Sequence, residues 1–310
     1  MYIDEFQNVS YGQVITNLFI GLTRHVTGLP KDLRELGYEI RGIEYNFTFP
    51  MNGDLENVRE VNPDIVIGSS KLSHSIILEI KGGANIEDDQ CDRYLSLDSE
   101  TLRDYGFLNE AELNTFDITY FCKNENLDRI RIGLSGKGCP LLVSSEEIIE
   151  LDDRNPDFKV TETSDAFKPL NIDWGKVPLS FFPFDKGSRN SLVGDYIMSD
   201  VLEQMAQGSE RIIVEESMLR IFVNWPTIGG HKQHELRDKA IEVLKLAERH
   251  DFKAYISRDH RKQEWLITQN PLSGVYDERL KIWKRMKKKA SEFSQRLTSG
   301  ELQTELDLFN

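Results

Sequence analysis

Two short apolar runs joined by a polar turn constrain the fold more than any other part of this sequence. The runs read PDIVIG at residues 63–68 and HSIILEI at residues 74–80, and both are rich in β-branched side chains. Runs of this length and composition predict two strands, and the short polar connection predicts a hairpin. The continuous apolar stretch at residues 76–78 indicates that the second strand lies inside a sheet, where charged residues need a reason.

Charged residues stand at the ends of these strands. Asp64 precedes the first apolar run, and Glu79 and Lys81 close the second. Side chains two residues apart on a strand share a face, so Glu79 and Lys81 point the same way, and Asp64 on the neighbouring strand can meet them. Two carboxylates side by side repel each other unless a cation lies between them.

A divalent metal ion resolves that repulsion. Mg²⁺ and Mn²⁺ prefer hard oxygen ligands, which Asp64, Glu79 and the carbonyl of Ile80 can supply. Lys81 would then lie next to a metal-bound water, orient it, and stabilise the charge that builds up on a phosphate. The pattern therefore predicts a site that hydrolyses phosphodiester bonds. The same spacing also arises by chance, in which case Glu79 and Lys81 form a solvated pair, but the buried run beside them favours the chemical interpretation.

The stretch Pro63-Asp64…Glu79-Ile80-Lys81 resembles the motif of the PD-(D/E)XK nuclease superfamily, which has the restriction-endonuclease-like fold. A predicted helix before the hairpin and another after it match that family's core, and the resemblance covers roughly residues 12–145. It implies an α/β fold with a mixed sheet, a Mg²⁺ or Mn²⁺ cofactor, and catalysis by the two carboxylates and the lysine.

A further match is Gln90-Cys-Asp-Arg-Tyr94 on the following helix. This Q-x-x-x-Y pattern is similar to the signature of the RecB-type branch, in which Gln and Tyr lie beside the metal site and contact DNA. The two residues share a helix face, and the alternative is that this face only packs on the sheet. The extra acid that the family often has upstream is assigned to Glu44, with Glu35 behind it. The interval from Lys81 to Gln90 departs from the family by being short.

The rest of the first 150 residues predicts an α/β domain with a mixed sheet. Expected helices cover residues 12–27, 31–36 and 86–105, expected strands cover 38–49, 116–122 and 139–145, and a short helical piece, EEIIEL, follows at 146–151. Residues 151–190 contain four prolines and an aromatic run, and they predict a connector that packs against a domain.

Residues 191–270 predict a winged helix-turn-helix domain, because they run helix, strand, helix, turn, helix and hairpin. Its DNA-facing residues would be Lys232, His234, Arg237, Arg258, Arg261 and Lys262. Many domains of this kind mediate protein contacts instead. Residues 271–310 predict one more helix and an acidic tail. One face of that helix carries six basic residues, Lys281, Lys284, Arg285, Lys287, Lys288 and Lys289. This face either binds phosphate or is merely solvated.

The net charge of −14, taken alone, argues against a nucleic-acid partner, because phosphate binding needs a basic surface. The acidity is uneven: residues 1–150 carry 13 basic and 26 acidic side chains, whereas residues 151–310 carry 25 and 26. No apolar stretch approaches a membrane span, and no signal peptide is visible. Three widely spaced cysteines fit neither a disulfide framework nor a four-cysteine metal site, and they predict a reducing, cytoplasmic environment.

Together these patterns predict a two-domain, Mg²⁺-dependent deoxyribonuclease in an anti-phage defence or restriction, repair or transposition system. The layout also resembles the endonuclease subunit of heteromeric transposases, which places a winged helix after such a nuclease domain. The competing class is a non-catalytic DNA-binding or adaptor protein on a degenerate nuclease fold. The expected partners are DNA and a protein, namely a helicase, a recombinase, a sliding clamp or a second copy of the chain. The tail at residues 303–309 resembles clamp-binding peptides, and a frayed terminus is its alternative.

Overall fold

The predicted hairpin belongs to a seven-stranded mixed sheet, counted over the described residues. The strands of the first half of the chain are β1 (Tyr38–Ile43), β2 (Phe47–Met51), β3 (Asp54–Val61), β4 (Ile65–Ser69), β5 (His74–Lys81), β6 (Thr115–Lys123), β7 (Leu141–Ser145), β8 (Ile148–Leu151) and β9 (Leu170–Asn171). The sheet order is β1-β4-β5-β6-β7-β8-β9, in which β5, β6 and β7 are parallel and the other neighbours antiparallel. The α/β class with a mixed sheet is confirmed. Strands β2 and β3 form a separate hairpin.

The computed structural model describes residues 9–51, 54–108, 114–259, 262, 264–269 and 276–302. The chain divides into two units. The first runs to Phe181 and also includes residues 226–232, and the second contains residues 182–225 and the chain from residue 233 onward. Arg261 and the tail from residue 303 lie outside the described residues, so the expectations stated for them stay predictions.

Helices cover both faces of the large sheet. Those of the first unit are α1 (Tyr11–Thr23), α2 (Asp32–Glu35), α3 (Asp88–Leu95), α4 (Ser99–Asp104), α5 (Leu127–Leu134) and α6 (Thr161–Ala166). Ile76 and Leu78 of β5 pack with α1, α2 and α6 on one face, whereas Val66 and Ile77 pack with α3, α4 and α5 on the other. Because both faces are covered, the hairpin is apolar at nearly every position instead of alternating.

Helix α1 begins one residue before the predicted start and ends four residues before the predicted end. Ser10 caps its N-terminus, since the Ser10 side chain accepts a hydrogen bond from the backbone N–H of Gln13 at 3.1 Å. Thr23 is the last helical residue, and its hydroxyl donates back to the carbonyl oxygens of Phe19 and Ile20, both at 3.1 Å. Every residue from 13 to 23 is buried, so the helix is central to the core.

Two predicted elements are wrong in detail. The strand expected at residues 38–49 is broken at Glu44, which has a left-handed φ of 44°, and the chain turns there before it enters β2. The helical piece expected at residues 146–151 is instead strand β8, which pairs antiparallel with β7 after a turn at Glu146. Ile149 is buried and Glu150 is exposed, which is the alternation of a strand with one covered face.

The polar stretch at residues 86–105 forms two helices instead of one. They are separated at Asp98, whose side chain caps α4 by accepting a hydrogen bond from the N–H of Thr101 at 2.7 Å. Residues 151–181 lie in the first unit, where Phe158, Phe167 and Trp174 are buried in its core and β9 extends the sheet. Strand β3 was not predicted, because its sequence is mostly polar.

The chain after residue 182 contains mostly helix. Its elements are α7 (Asn190–Ala206), β10 (Arg211–Ile213), α8 (Val214–Ile221), α9 (Gly230–Arg249), β11 (Ile256–Asp259), β12 (Glu264–Ile267) and α10 (Tyr276–Thr298). The three strands pair antiparallel in the order β10-β12-β11. The order of helices and strands agrees with the predicted order. That these elements form a winged helix-turn-helix domain stays a proposal.

Helix α10 is the basic helix that the sequence predicts. Met286, Phe293 and Leu297 form its buried stripe, and α10 packs on α7, where Gly194 leaves room for the side chain of Leu297. Among the helices of the described chain, none combines the length and the apolar character that crossing a membrane requires.

A buried hydrogen-bond network links β1, at the edge of the large sheet, to β5 and α6. The Tyr38 hydroxyl lies 2.5 Å from His74 Nδ1 and 2.6 Å from Thr163 Oγ1, and His74 Nε2 lies 3.0 Å from Asp117 Oδ2. Burial raises the pKa of Tyr38, so its hydroxyl keeps the proton that it shares in this network. Because the groups are shut off from water, none of them can replace a lost partner with solvent.

We predict that Tyr38→Phe lowers the free energy of unfolding by about 1–3 kcal/mol, because it leaves buried His74 and Thr163 without a shared partner. Equilibrium urea denaturation measures the change. Tyr105→Phe is the matched control, since the Tyr105 hydroxyl bonds Thr48 at an exposed position where water can substitute. Equal losses in the two variants would contradict the prediction.

Candidate active site

Three strand ends meet at one edge of the large sheet. Strand β4 is antiparallel to both β1 and β5, so the end of β1, the start of β4 and the end of β5 lie together. Glu44 directly follows β1, and its backbone N–H donates to the carbonyl oxygen of Asp64 at 2.9 Å. Asp64 precedes β4, and Glu79 lies near the end of β5. The sheet therefore brings together three acids that are far apart in the sequence.

Asp64 is partly buried beside another carboxylate. Its Oδ2 accepts a hydrogen bond from the backbone N–H of Ile80 at 2.5 Å, which fixes the side chain across the hairpin. Burial and the nearby Glu79 carboxylate raise the pKa of Asp64 to about 8. The protein itself offsets the negative charge of Asp64 only weakly, so a proton or a metal cation at this position would stabilise the side chain.

Glu79 is held by three hydrogen-bond donors. Its Oε1 accepts from Lys81 Nζ at 3.0 Å and from Gln90 Nε2 at 2.8 Å, and its Oε2 accepts from the Tyr94 hydroxyl at 2.7 Å. Burial and the Glu79 carboxylate raise the pKa of Tyr94, so the phenol stays protonated and remains a donor. A carboxylate has about four lone-pair positions, and one therefore stays available for a further ligand.

Lys81 completes a closed ring of contacts. Its Nζ donates to Gln90 Oε1 at 2.6 Å as well as to Glu79, and it lies 6.0 Å from the centre of the Tyr120 ring. The predicted residues Lys81, Gln90 and Tyr94 thus all bond Glu79, and Lys81 and Gln90 also bond each other. Gln90 and Tyr94 position Glu79, whereas their predicted contact with DNA stays a prediction.

The residues present fit a divalent metal ion. Asp64 and Glu79 supply hard carboxylate oxygens, and the Ile80 carbonyl points to the same side of β5 as the N–H that binds Asp64. Within the described residues, no group of three or more His, Cys, Asp or Glu side chains forms a metal-binding cluster. A site with two carboxylates and one carbonyl suits Mg²⁺, which usually keeps several of its waters.

Glu44 has a partner that the sequence did not predict. Lys232 Nζ lies 2.7 Å from Glu44 Oε1, and the Lys232 side chain is only 9% exposed. The expectation that Lys232 faces DNA from a recognition helix is therefore wrong, because this side chain is buried in the first unit. The local signal was only Gly229-Gly230 before His231 and Lys232, which reads as an ordinary turn.

The predicted DNA-facing residues of the winged-helix segment have different surroundings. Arg237 is paired with Glu215 at 2.9 Å, and the guanidinium of Arg258 lies 5.6 Å from the Trp265 ring centre. Lys262 is exposed.

Arg258 also lines a cavity of about 570 Å³ with Lys245, Glu248, Arg249, Lys253, Ile256 and Ser257. That cavity has four basic residues and one acid, so it favours anions.

The predicted basic face of α10 is largely open to solvent. Lys284 and Lys287 are exposed, and Lys287 Nζ lies 5.2 Å from the Trp283 ring centre. Lys288 is exposed and lies 3.6 Å from Glu292. These weak, exposed contacts leave the ammonium groups able to meet a phosphate.

The fold and this site define a mixed α/β domain with a buried carboxylate–lysine network at one sheet edge. The model of the MJECL32 domain family matches residues 12–182, which is more than half of the chain, and the chain belongs to that family. The match ends where the main segment of the first unit ends. Neither a curated protein nor a solved structure gives a match to this chain.

We predict that Asp64→Asn stabilises the metal-free protein and that the gain grows as the pH rises from about 4 to 8. The pKa of folded Asp64 is raised above its unfolded value, so wild-type stability falls across this window, by at most about 1.4 kcal/mol per pH unit. Asn keeps an oxygen that can accept from Ile80 and has no charge to bury.

Urea denaturation in EDTA at several pH values measures this gain. Above about pH 8 the difference should level off, because folded Asp64 is then ionised. A stability difference that does not change between pH 5 and pH 8 would rule out the burial argument.

Proposed function

We propose that this protein is a metal-dependent nuclease that hydrolyses phosphodiester bonds of DNA. The observation that carries the proposal is the contact network of Glu79, Lys81, Gln90 and Tyr94 beside the partly buried Asp64. Each residue belongs to the pattern that resembles the RecB-type branch of the PD-(D/E)XK superfamily. A purely structural helix–sheet contact does not require two carboxylates and a lysine in one buried cluster.

The fold supports this proposal. The hairpin of β4 and β5 continues into the parallel strands β6 and β7, with α1 on one face and α3 and α5 on the other. This arrangement agrees with the restriction-endonuclease-like core that the sequence pattern implies. The family match defines the extent of the domain, residues 12–182, and assigns no activity to it.

Asp64, Glu79 and the Ile80 carbonyl would hold Mg²⁺ or Mn²⁺, and the ion would lower the pKa of a bound water and offset charge on the phosphate. Lys81 has a donor left over after its bonds to Glu79 and Gln90, and it orients the attacking water or a phosphate oxygen. Gln90 and Tyr94 keep Glu79 in place, and they do so before any substrate arrives.

In this proposal the second unit provides the surface that binds DNA. The first half of the chain is strongly acidic, so it binds DNA weakly by itself. A winged helix with α9 and the β11–β12 hairpin, together with the exposed lysines of α10, supplies cationic surface. A helicase, a recombinase, a sliding clamp or a second copy of the chain would supply the rest, in a defence, repair or transposition system within the cytoplasm.

We expect Mg²⁺-dependent cleavage of DNA by the wild-type protein, and a loss of at least about 100-fold in kcat for Glu79→Gln and Lys81→Met. The matched controls are Glu39→Gln and Lys71→Met, which change exposed residues of the same unit. Release of product from a labelled oligonucleotide with and without EDTA measures the rate.

The alternative is a non-catalytic DNA-binding or adaptor protein. It predicts the same trace activity in wild type, Glu79→Gln and Lys81→Met, while DNA binding persists in all three. That result would overturn the nuclease proposal and favour the adaptor.

We further predict that the double variant Lys284→Glu and Lys287→Glu weakens DNA binding and flattens its salt dependence. Each lost phosphate contact should reduce the slope of log K against log salt by about 1. Fluorescence anisotropy with a labelled duplex at several salt concentrations measures the slope. Lys168→Glu, an exposed lysine of the first unit, is the control. A slope equal to that of wild type would remove α10 from the DNA-binding surface.

A further inference from the structure

A cavity of about 440 Å³ opens beside the carboxylate network, within the first unit. The residues that line it are Asn46, Glu60, Val61, Asn62, Gln90, Arg93, Tyr94 and His231. Gln90 and Tyr94 are also the residues that hold Glu79, so the cavity and the network share a wall. Its volume lies in the range of about 300–1,000 Å³ that takes small-molecule ligands, and one nucleotide is of that size.

One wall comes from a distant segment of the chain, residues 226–232, which we call the inserted segment. The Gly229 N–H donates to the carbonyl oxygen of Ile43 at 2.9 Å, and Ile228 forms a parallel β-bridge with Ile43. A Cβ atom at Gly229 would overlap the carbonyl oxygen of Glu44. Only glycine therefore permits the inserted segment to dock on the end of β1.

The end of the inserted segment is anchored by charge. Lys232 pairs with Glu44 at 2.7 Å, and the Glu44 N–H in turn donates to the Asp64 carbonyl oxygen. His231 immediately precedes Lys232, is exposed, and lines the cavity. The backbone contacts at Gly229 and the ion pair at Lys232 thus place the imidazole of His231 next to the carboxylate network.

We propose that this cavity binds one nucleotide of the substrate strand, with Arg93 and His231 facing its phosphate. The inference rests on the proposed nuclease function and adds to it a binding site that includes the inserted segment. Arg93 is partly exposed, and its Nε lies 3.4 Å from the exposed side chain of Asp89, an ion pair that is weak enough to give way to a phosphate. A guanidinium binds phosphate oxygens in pairs, and an imidazole ring carries an N–H that can donate to a phosphate oxygen.

The remaining walls suit a nucleobase. Asn46 and Asn62 carry amides that both donate and accept hydrogen bonds. Glu60 is the acid of the lining and would repel a phosphate, but it can accept from an exocyclic amino group. The cavity therefore has a cationic side for the phosphate and a neutral to acidic side for the base.

The test compares steady-state cleavage of an oligodeoxynucleotide by full-length wild type, Arg93→Gln and His231→Ala. We expect KM to rise about 10-fold in each variant, which is the loss of one charge-assisted contact, while kcat stays within about 3-fold. Arg103→Gln and His25→Ala change exposed residues of the same unit and should leave both constants unchanged. Added dAMP should inhibit the wild type competitively, and Arg93→Gln should weaken that inhibition.

Gly229→Ala probes the docking of the inserted segment independently. It should raise KM in the same way, and circular dichroism establishes whether the variant is folded. Cleavage by wild type with unchanged KM in Arg93→Gln and His231→Ala would overturn the cavity assignment and leave the nuclease proposal standing. Absence of cleavage by wild type, with Mg²⁺ and with Mn²⁺, would overturn the nuclease proposal and this inference with it.

Discussion

The repulsion between two carboxylates at one sheet edge governs the structure around them. Asp64 and Glu79 are held close by the antiparallel pairing of β4 and β5, and Glu79 is buried whereas Asp64 is partly buried. Glu79 is compensated by Lys81, Gln90 and Tyr94, whereas Asp64 receives mainly one backbone N–H. Burial and the nearby Glu79 carboxylate therefore raise the pKa of Asp64, and the edge suits a divalent cation.

The same edge also explains how distant parts of the chain come to share one site. The left-handed turn at Glu44 ends β1 at the level of Asp64 and presents an acid toward Lys232. Lys232 belongs to a segment that is more than 180 residues away in the sequence, and backbone contacts at Gly229 hold that segment in place. The cationic side chain of Lys232 offsets the negative charge of Glu44 at this edge.

Elements with a strong local pattern were predictable, and elements decided by pairing were not. The hairpin of β4 and β5, the start of α1 and the long helix α10 follow from runs of apolar residues at a constant period. The segment EEIIEL favours a helix by its local propensity, and only pairing with the edge of β7 makes it strand β8. The break of the predicted strand at Glu44 likewise has no local signal, because it depends on where the pairing of β1 with β4 ends.

The residues of the candidate site follow from local patterns, because strand spacing puts Glu79 and Lys81 on one face and helix spacing does the same for Gln90 and Tyr94. Strand and helix periods depend on local geometry, so these residues could be placed on one face without knowing the rest of the fold. Tertiary structure alone decided that Glu44 pairs with Lys232 and that His231 lines the neighbouring cavity. Those contacts depend on long-range docking of backbone on backbone, for which a single sequence contains no periodic signal.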